Sequence, residues 1–88
     1  MSNKNIVLVF SASWCNPCKV SKKYLETNHE PSKYHIIDLA EDKHEEEALY
    51  YKVRNLPTFI LLDVEGKEIR RFTGFDKEKI DNILSEVV

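Results

Sequence analysis

The stretch Trp14-Cys15-Asn16-Pro17-Cys18-Lys19 restricts the fold more than any other part of the chain. It holds the only two cysteines, follows the apolar run Ile6-Val7-Leu8-Val9-Phe10, and opens a segment rich in helix formers. A Cys-x-x-Cys pair between a buried strand and a helix marks a thiol–disulfide redox centre. The thiolate is the reactive form of cysteine, and a helix start stabilises it with unpaired N–H groups and the positive end of the macrodipole. Cys15, first in the turn, is therefore expected to be the acidic, exposed thiol. Cys18 lies three residues on, one turn deeper on the same face, and is expected to be shielded but close enough to close a small disulfide ring. Pro17 suits a first helical turn, where its missing N–H has no intrahelical partner, and it stiffens the loop between the sulfurs.

Trp-Cys-x-Pro-Cys-Lys after a hydrophobic strand resembles the thioredoxin family, with Asn16 where the commonest family motif has Gly. Asn55-Leu56-Pro57-Thr58 is similar to the family's cis-proline loop, and Thr73-Gly74 stands before the last helical segment as in the family, so the resemblance runs in order over nearly the whole chain. It implies that Cys15 is the nucleophile, that Cys18 resolves, and that Trp14, Asn16, Pro17 and Pro57 support them. A cis bond would bring Leu56-Pro57 beside the sulfurs, where the Leu56 backbone would pair with an extended substrate. Trp14, Leu56, Pro57, Thr73, Gly74 and Phe75 would form a shallow, mainly apolar docking surface. The implied function is a protein disulfide reductase that cycles between the Cys15-Cys18 dithiol and disulfide. Its partners would be disulfide-containing proteins and an NADPH-dependent thioredoxin reductase or equivalent donor, with no bound cofactor.

Two positions depart from the family. The buried Asp that thioredoxins commonly carry beneath the cysteines corresponds to Val9, and a kinking Pro in the first helix corresponds to Lys23, so that helix is expected to be straighter. Plainer readings stand beside the functional ones. Pro57 is also tolerated as a strand starter, and Phe75 as an ordinary core aromatic. The cysteines could be inert thiols or half a zinc site. Zinc needs about four ligands, and His29, His35 and His44 follow no ligand spacing, so no metal is expected and each histidine reads as a solvated surface residue. The alternatives are a glutaredoxin-like or oxidant variant, or a binding subunit of another enzyme with incidental cysteines.

In chain order, Ile6–Phe10 reads as a strand buried on both faces in a largely parallel sheet. A helix follows from about Cys15 to Thr27, with Cys18, Tyr24 and Leu25 inward and Lys19, Lys22, Lys23 and Glu26 in water. Glu30-Pro31-Ser32 reads as a loop, and Tyr34 to Leu39 as a strand ended by Glu41-Asp42-Lys43. Glu45 to Lys52 reads as a short helix with Leu49 and Val53 on its inner face, ending before Leu56 because a residue preceding proline leaves the helical region. Thr58 to Leu62 is a buried strand. Asp63 to Lys67 is a hairpin turn with Gly66 at positive φ, and Glu68 to Thr73 a charged edge strand. Asp76 caps a last helix with Ile80, Ile83, Leu84 and Val87 on one stripe. The fold class is α/β: a three-layer thioredoxin fold of order βαβαββα, with a four-stranded mixed sheet and helices on both faces, lacking the extra amino-terminal strand and helix of many members.

At 88 residues the chain, 1–88, reads as one small domain with one core. A net charge of −2 with no basic stripe excludes nucleic acid as an implied partner. Lys4, the apolar run and Ser11-Ala12-Ser13 faintly imitate a signal peptide, but the run is too short and cleavage there would remove the strand that carries the cysteines. With no apolar segment long enough for a membrane span, the expectation is a cytoplasmic monomer whose cysteines are catalytic rather than structural.

Overall fold

The inner strands carry two interleaved sets of apolar side chains, and these sets decide where each helix lies. A computed structural model describes residues 5–40 and 42–87; Lys4 and Glu41 lie outside the described residues. Strand β1 (Ile6–Ser11) leads into helix α1 (Asn16–Asn28), and a 3-10 turn at Pro31–Lys33 leads into β2 (Tyr34–Asp38). A second 3-10 turn, Asp42–His44, runs into α2 (Glu45–Tyr50), followed by β3 (Thr58–Leu62), β4 (Glu68–Thr73) and α3 (Lys77–Ser85). The described strands form one mixed sheet in the order β2-β1-β3-β4, with β1 parallel to β2 and antiparallel to β3, and β3 antiparallel to β4. Element order and sheet type match the expectation. The double-sided burial of β1 comes from its inner place in a mixed sheet, not from a largely parallel one.

Alternate residues of a strand point to opposite faces. Val7 and Val9 of β1, with Phe59 and Leu61 of β3, form a buried cluster with Leu25 of α1 and with Ile80, Ile83 and Leu84 of α3. Leu8, Phe10, Ile60 and Leu62 form the opposite cluster, covered by Ala48, Tyr51, Val53 and Leu56. Two helices thus lie on one face and α2 on the other. Each fully buried Val, Leu, Ile or Phe side chain contributes about 1.5–3 kcal/mol over exposure. Phe72 of β4 stacks on Phe59 at 4.6 Å between ring centroids, anchoring the edge strand to the inner one.

The caps follow local chemistry. The Asp76 carboxylate accepts from the Lys79 N–H at 3.1 Å at the start of α3. In the β3–β4 turn, Gly66 takes φ 84° while Asp63 Oδ1 accepts from the N–H groups of Glu65 and Lys67. Helix α2 is shorter than expected, and Leu49 is exposed rather than inward. Its end explains both. Lys52 adopts φ 56°, its N–H bonds the Leu49 carbonyl, and the Val53 N–H bonds the Ala48 carbonyl at 2.9 Å. That left-handed C-terminal closure swings Val53 back onto the core beside Ala48 and Tyr51, leaving Leu49 outside. Lys22 is half-buried rather than fully in water, and Pro31, expected in a loop, starts a 3-10 turn where its missing N–H costs nothing.

Candidate active site

Register alone brings three loops to one end of the sheet. Phe10 near the end of β1 sits opposite Thr58 at the start of β3, and Thr58 sits opposite Thr73 at the end of β4. The cysteine turn after β1, the proline before β3 and the glycine after β4 therefore leave the sheet side by side.

The cysteine turn is closed by the Cys15 N–H donating to the Ala12 carbonyl at 3.1 Å. Cys15 itself is the N-cap of α1, with extended backbone (φ −101°, ψ 112°), and Pro17 lies within the first turn. The Cys18 N–H donates to Cys15 Sγ at 3.3 Å, so this sulfur occupies the place where a capping oxygen commonly sits. No acidic side chain stands in the first turn of α1 to compete for that positive end. Cys15 and Cys18 form a disulfide with their Cα atoms 5.2 Å apart. Cys15 is partly exposed, whereas Cys18 is only 1% exposed. Trp14 projects into solvent at 68% exposure, and Asn16 and Pro17 are exposed beside it.

In the neighbouring loop the Leu56–Pro57 bond is cis, and the buried Pro57 carbonyl accepts from the Gly74 N–H at 2.9 Å. Gly74 has φ 88°, a conformation that favours glycine. Thr58 Oγ1 donates to the Asn55 carbonyl and fixes the loop. The structure thus joins Pro57, Thr73 and Gly74 into one unit. Leu56 leans partly on the second core cluster. Phe75 is divided: it is half-buried against the first cluster and packs nearly perpendicular to Tyr24 with 6.0 Å between ring centroids, so core packing claims part of its ring. Val9 is fully buried opposite Phe59, with no carboxylate in its place.

The family model named Thioredoxin matches residues 1–86. The chain belongs to the thioredoxin family. Thioredoxin-1 of Drosophila melanogaster is 35% identical over 88 residues, spanning 98% of this chain and 81% of that one. Human thioredoxin is 31% identical over 87 residues, spanning 98% and 82%. The crystal structure of Schistosoma mansoni thioredoxin superposes with a TM-score of 0.82 at 28% identity, covering 98% of this chain and 79% of that one. Thioredoxins are thiol–disulfide oxidoreductases, and this chain, with its bonded Cys15-Cys18 pair, is a protein disulfide reductase of that family. No helix among the described residues is long and apolar enough to cross a membrane. Among those residues, no three His, Cys, Asp or Glu side chains gather as metal ligands.

Sequence reasoning missed several contacts on this thioredoxin scaffold. Ser21, fully buried in α1, donates to the Pro17 carbonyl at 2.8 Å and steadies the first turn below the sulfurs. His29 and His44 are not solvated: each side chain is 16% exposed and bonded to a carboxylate, Asp81 for His29 and Glu47 for His44. Tyr24 donates to both Asp81 oxygens at 2.8 and 2.9 Å, tying α1 to α3. Separations of 52 and 57 residues leave no local pattern that announces the bonds to Asp81, whereas Ser21–Pro17 and His44–Glu47 stand only four and three residues apart.

These contacts carry a pH dependence. The Tyr24 hydroxyl, and next the His29 ring, hold the Asp81 carboxyl below its ordinary range, while the bond to Asp81 raises the Tyr24 phenol. The hydrogen bond from Arg71 likewise lowers Glu68. A depressed carboxyl contributes stability above its unfolded value and loses it as pH falls through the folded one. Melting temperature is therefore expected to hold near neutral pH and to drop below about pH 4. Asp81→Asn with Glu68→Gln should flatten that drop, and an unchanged slope in thermal melts would count against this assignment.

Proposed function

We propose that Cys15 attacks and Cys18 resolves in the reduction of protein disulfides. The observation that carries this reading is the N-cap geometry: Sγ of the half-buried Cys15 accepts the Cys18 N–H at the start of α1, while Cys18 is only 1% exposed. In the reduced protein, the Cys15 thiolate forms a new S–S bond to one sulfur of the substrate disulfide. The other substrate sulfur leaves as a thiolate and takes a proton from water. Cys18 gives its proton to solvent and attacks Cys15 Sγ; the Cys15-Cys18 disulfide forms and the second substrate thiol leaves. Two electrons pass from the dithiol to the substrate. An external dithiol donor, for which an NADPH-dependent thioredoxin reductase is the proposed source, then restores the dithiol.

Trp14, Leu56, Pro57, Thr73, Gly74 and Phe75 are proposed as the docking surface around Cys15, with Asn16 and Pro17 shaping the turn. The proposed setting is a monomer in a reducing cytoplasm, where a pair of cysteines serves chemistry rather than stapling. The test is insulin disulfide reduction with dithiothreitol as donor. The expected result is a catalysed rate proportional to the concentration of this protein and absent for Cys15→Ser with Cys18→Ser. A rate no faster than dithiothreitol alone would overturn the reading. Selective turnover with glutathione as donor would move it toward the glutaredoxin-like alternative.

A further inference from the structure

Between α1 and the start of α3 lies an open groove of about 400 Å³ that shares only Phe75 with the docking surface proposed above. Val20, Tyr24 and Phe75 give it an apolar floor, and Val20 is 50% exposed. Lys23 and Lys77 stand at its rim, and the Lys77 ammonium lies 5.8 Å from the centre of the Tyr24 ring. Lys23 also borders a second depression, of about 340 Å³, with Lys19 and Lys22, so one cationic face runs along the outside of α1. Among the described residues, none of these four lysines is in an ion pair. The carboxylates nearby are largely engaged: Asp81 accepts from Tyr24 and bonds His29, and Asp76 caps α3, which leaves Glu26 on the α1 face and Glu78 in the first turn of α3. Although the chain carries a net charge of −2, this face therefore gathers four lysines outside ion pairs.

The groove lies near the reactive end of the molecule, with Phe75 next in sequence to the Gly74 that bonds the proline loop. Val20 follows Cys15 by five residues, about 7–8 Å along the helix axis. We propose that this groove selects substrates: it receives an acidic segment, carrying an aliphatic or aromatic side chain, of the protein whose disulfide meets Cys15. The proposal rests on the disulfide-reductase reading above. The apolar side chain covers the Val20–Tyr24–Phe75 floor, and the carboxylates lie against Lys23 and Lys77. Complementary charge of this kind raises the encounter rate and suppresses wrong partners, and salt screens it.

The test uses the full chain and two disulfide-bridged peptides that share a phenylalanine beside the cysteine, one flanked by aspartates and the other by lysines. The expected kcat/KM is about tenfold higher for the acidic peptide at low salt, and the gap should shrink as salt rises. Lys23→Glu with Lys77→Glu should remove or reverse that preference, and the milder Lys23→Gln with Lys77→Gln should reduce it. Reduction of the small, neutral 2-hydroxyethyl disulfide should be unchanged in both. Equal kcat/KM for the two peptides, or a preference that survives charge reversal, overturns the groove's role while leaving the reductase reading intact. Failure of the unaltered chain to reduce 2-hydroxyethyl disulfide overturns the reductase reading and the selection built on it.

Discussion

Serine in place of Cys18 is expected to stop the reaction halfway, leaving substrate covalently attached to Cys15. The first step needs only the Cys15 thiolate and an accessible disulfide; the second needs a sulfur within bonding reach of Cys15 Sγ. Cys18 meets that need, because the first turn of α1 holds the two Cα atoms 5.2 Å apart. Among the described residues no other cysteine is available. Steady turnover with insulin should fall by at least about a thousandfold, as expected when a member of a concerted catalytic set is removed. The adduct should run as a higher-mass species without reductant and release one substrate equivalent with it. Cys15→Ser should give neither turnover nor adduct. Adducts forming equally through either cysteine would show that the roles are assigned wrongly.

The second large effect is expected from Val9→Asp. Val9 is fully buried among Leu25, Phe59 and Ile80, so a carboxyl placed there loses packing and water together. The cost should be about 3 kcal/mol or more, a large part of the roughly 5–15 kcal/mol that holds a small domain together. Burial would also raise the new carboxyl's pKa, making it a proton acceptor suited to neutral pH. Val9 points to the face covered by α1, the helix that carries Cys18. The resolving step is therefore expected to quicken by about a hundredfold near neutral pH, the lower end of the usual range for general base catalysis. Chemical denaturation and rapid-quench decay of a mixed disulfide measure the two effects separately. A destabilised variant that resolves no faster would mean that Val9 is only a packing residue.

Much of this was legible from the residues. The apolar runs Ile6–Phe10 and Phe59–Leu62 read as buried strands, and the cysteine turn between strand and helix placed the start of α1. Asp76 and Gly66 announced a cap and a turn through local chemistry that needs no distant partner. The errors arose where tertiary geometry overrode local pattern. Leu49 and Val53 fit a helical face on paper, but the left-handed Lys52 ends the helix between them. Lone histidines look solvated in a sequence, yet His29 is bonded to Asp81 across 52 residues. The arginines of β4 read as edge protection, and Arg71 does more: it joins Glu68 at 2.6 Å and the Tyr51 carbonyl at 2.7 Å, fastening the edge to the end of α2. Phe75 offered both packing and docking from sequence, and its contact with Tyr24 shows that packing holds part of the ring.

Limited alkylation of the reduced protein tests most directly whether the helix start divides the labour between the sulfurs. With iodoacetamide below one equivalent at neutral pH, followed by peptide mass mapping, label is expected on Cys15, with insulin-reducing activity lost in proportion. Cys18, shielded in the first turn, should stay unlabelled until the protein is unfolded. Equal labelling of the two cysteines, or label on Cys18 first, would contradict the account.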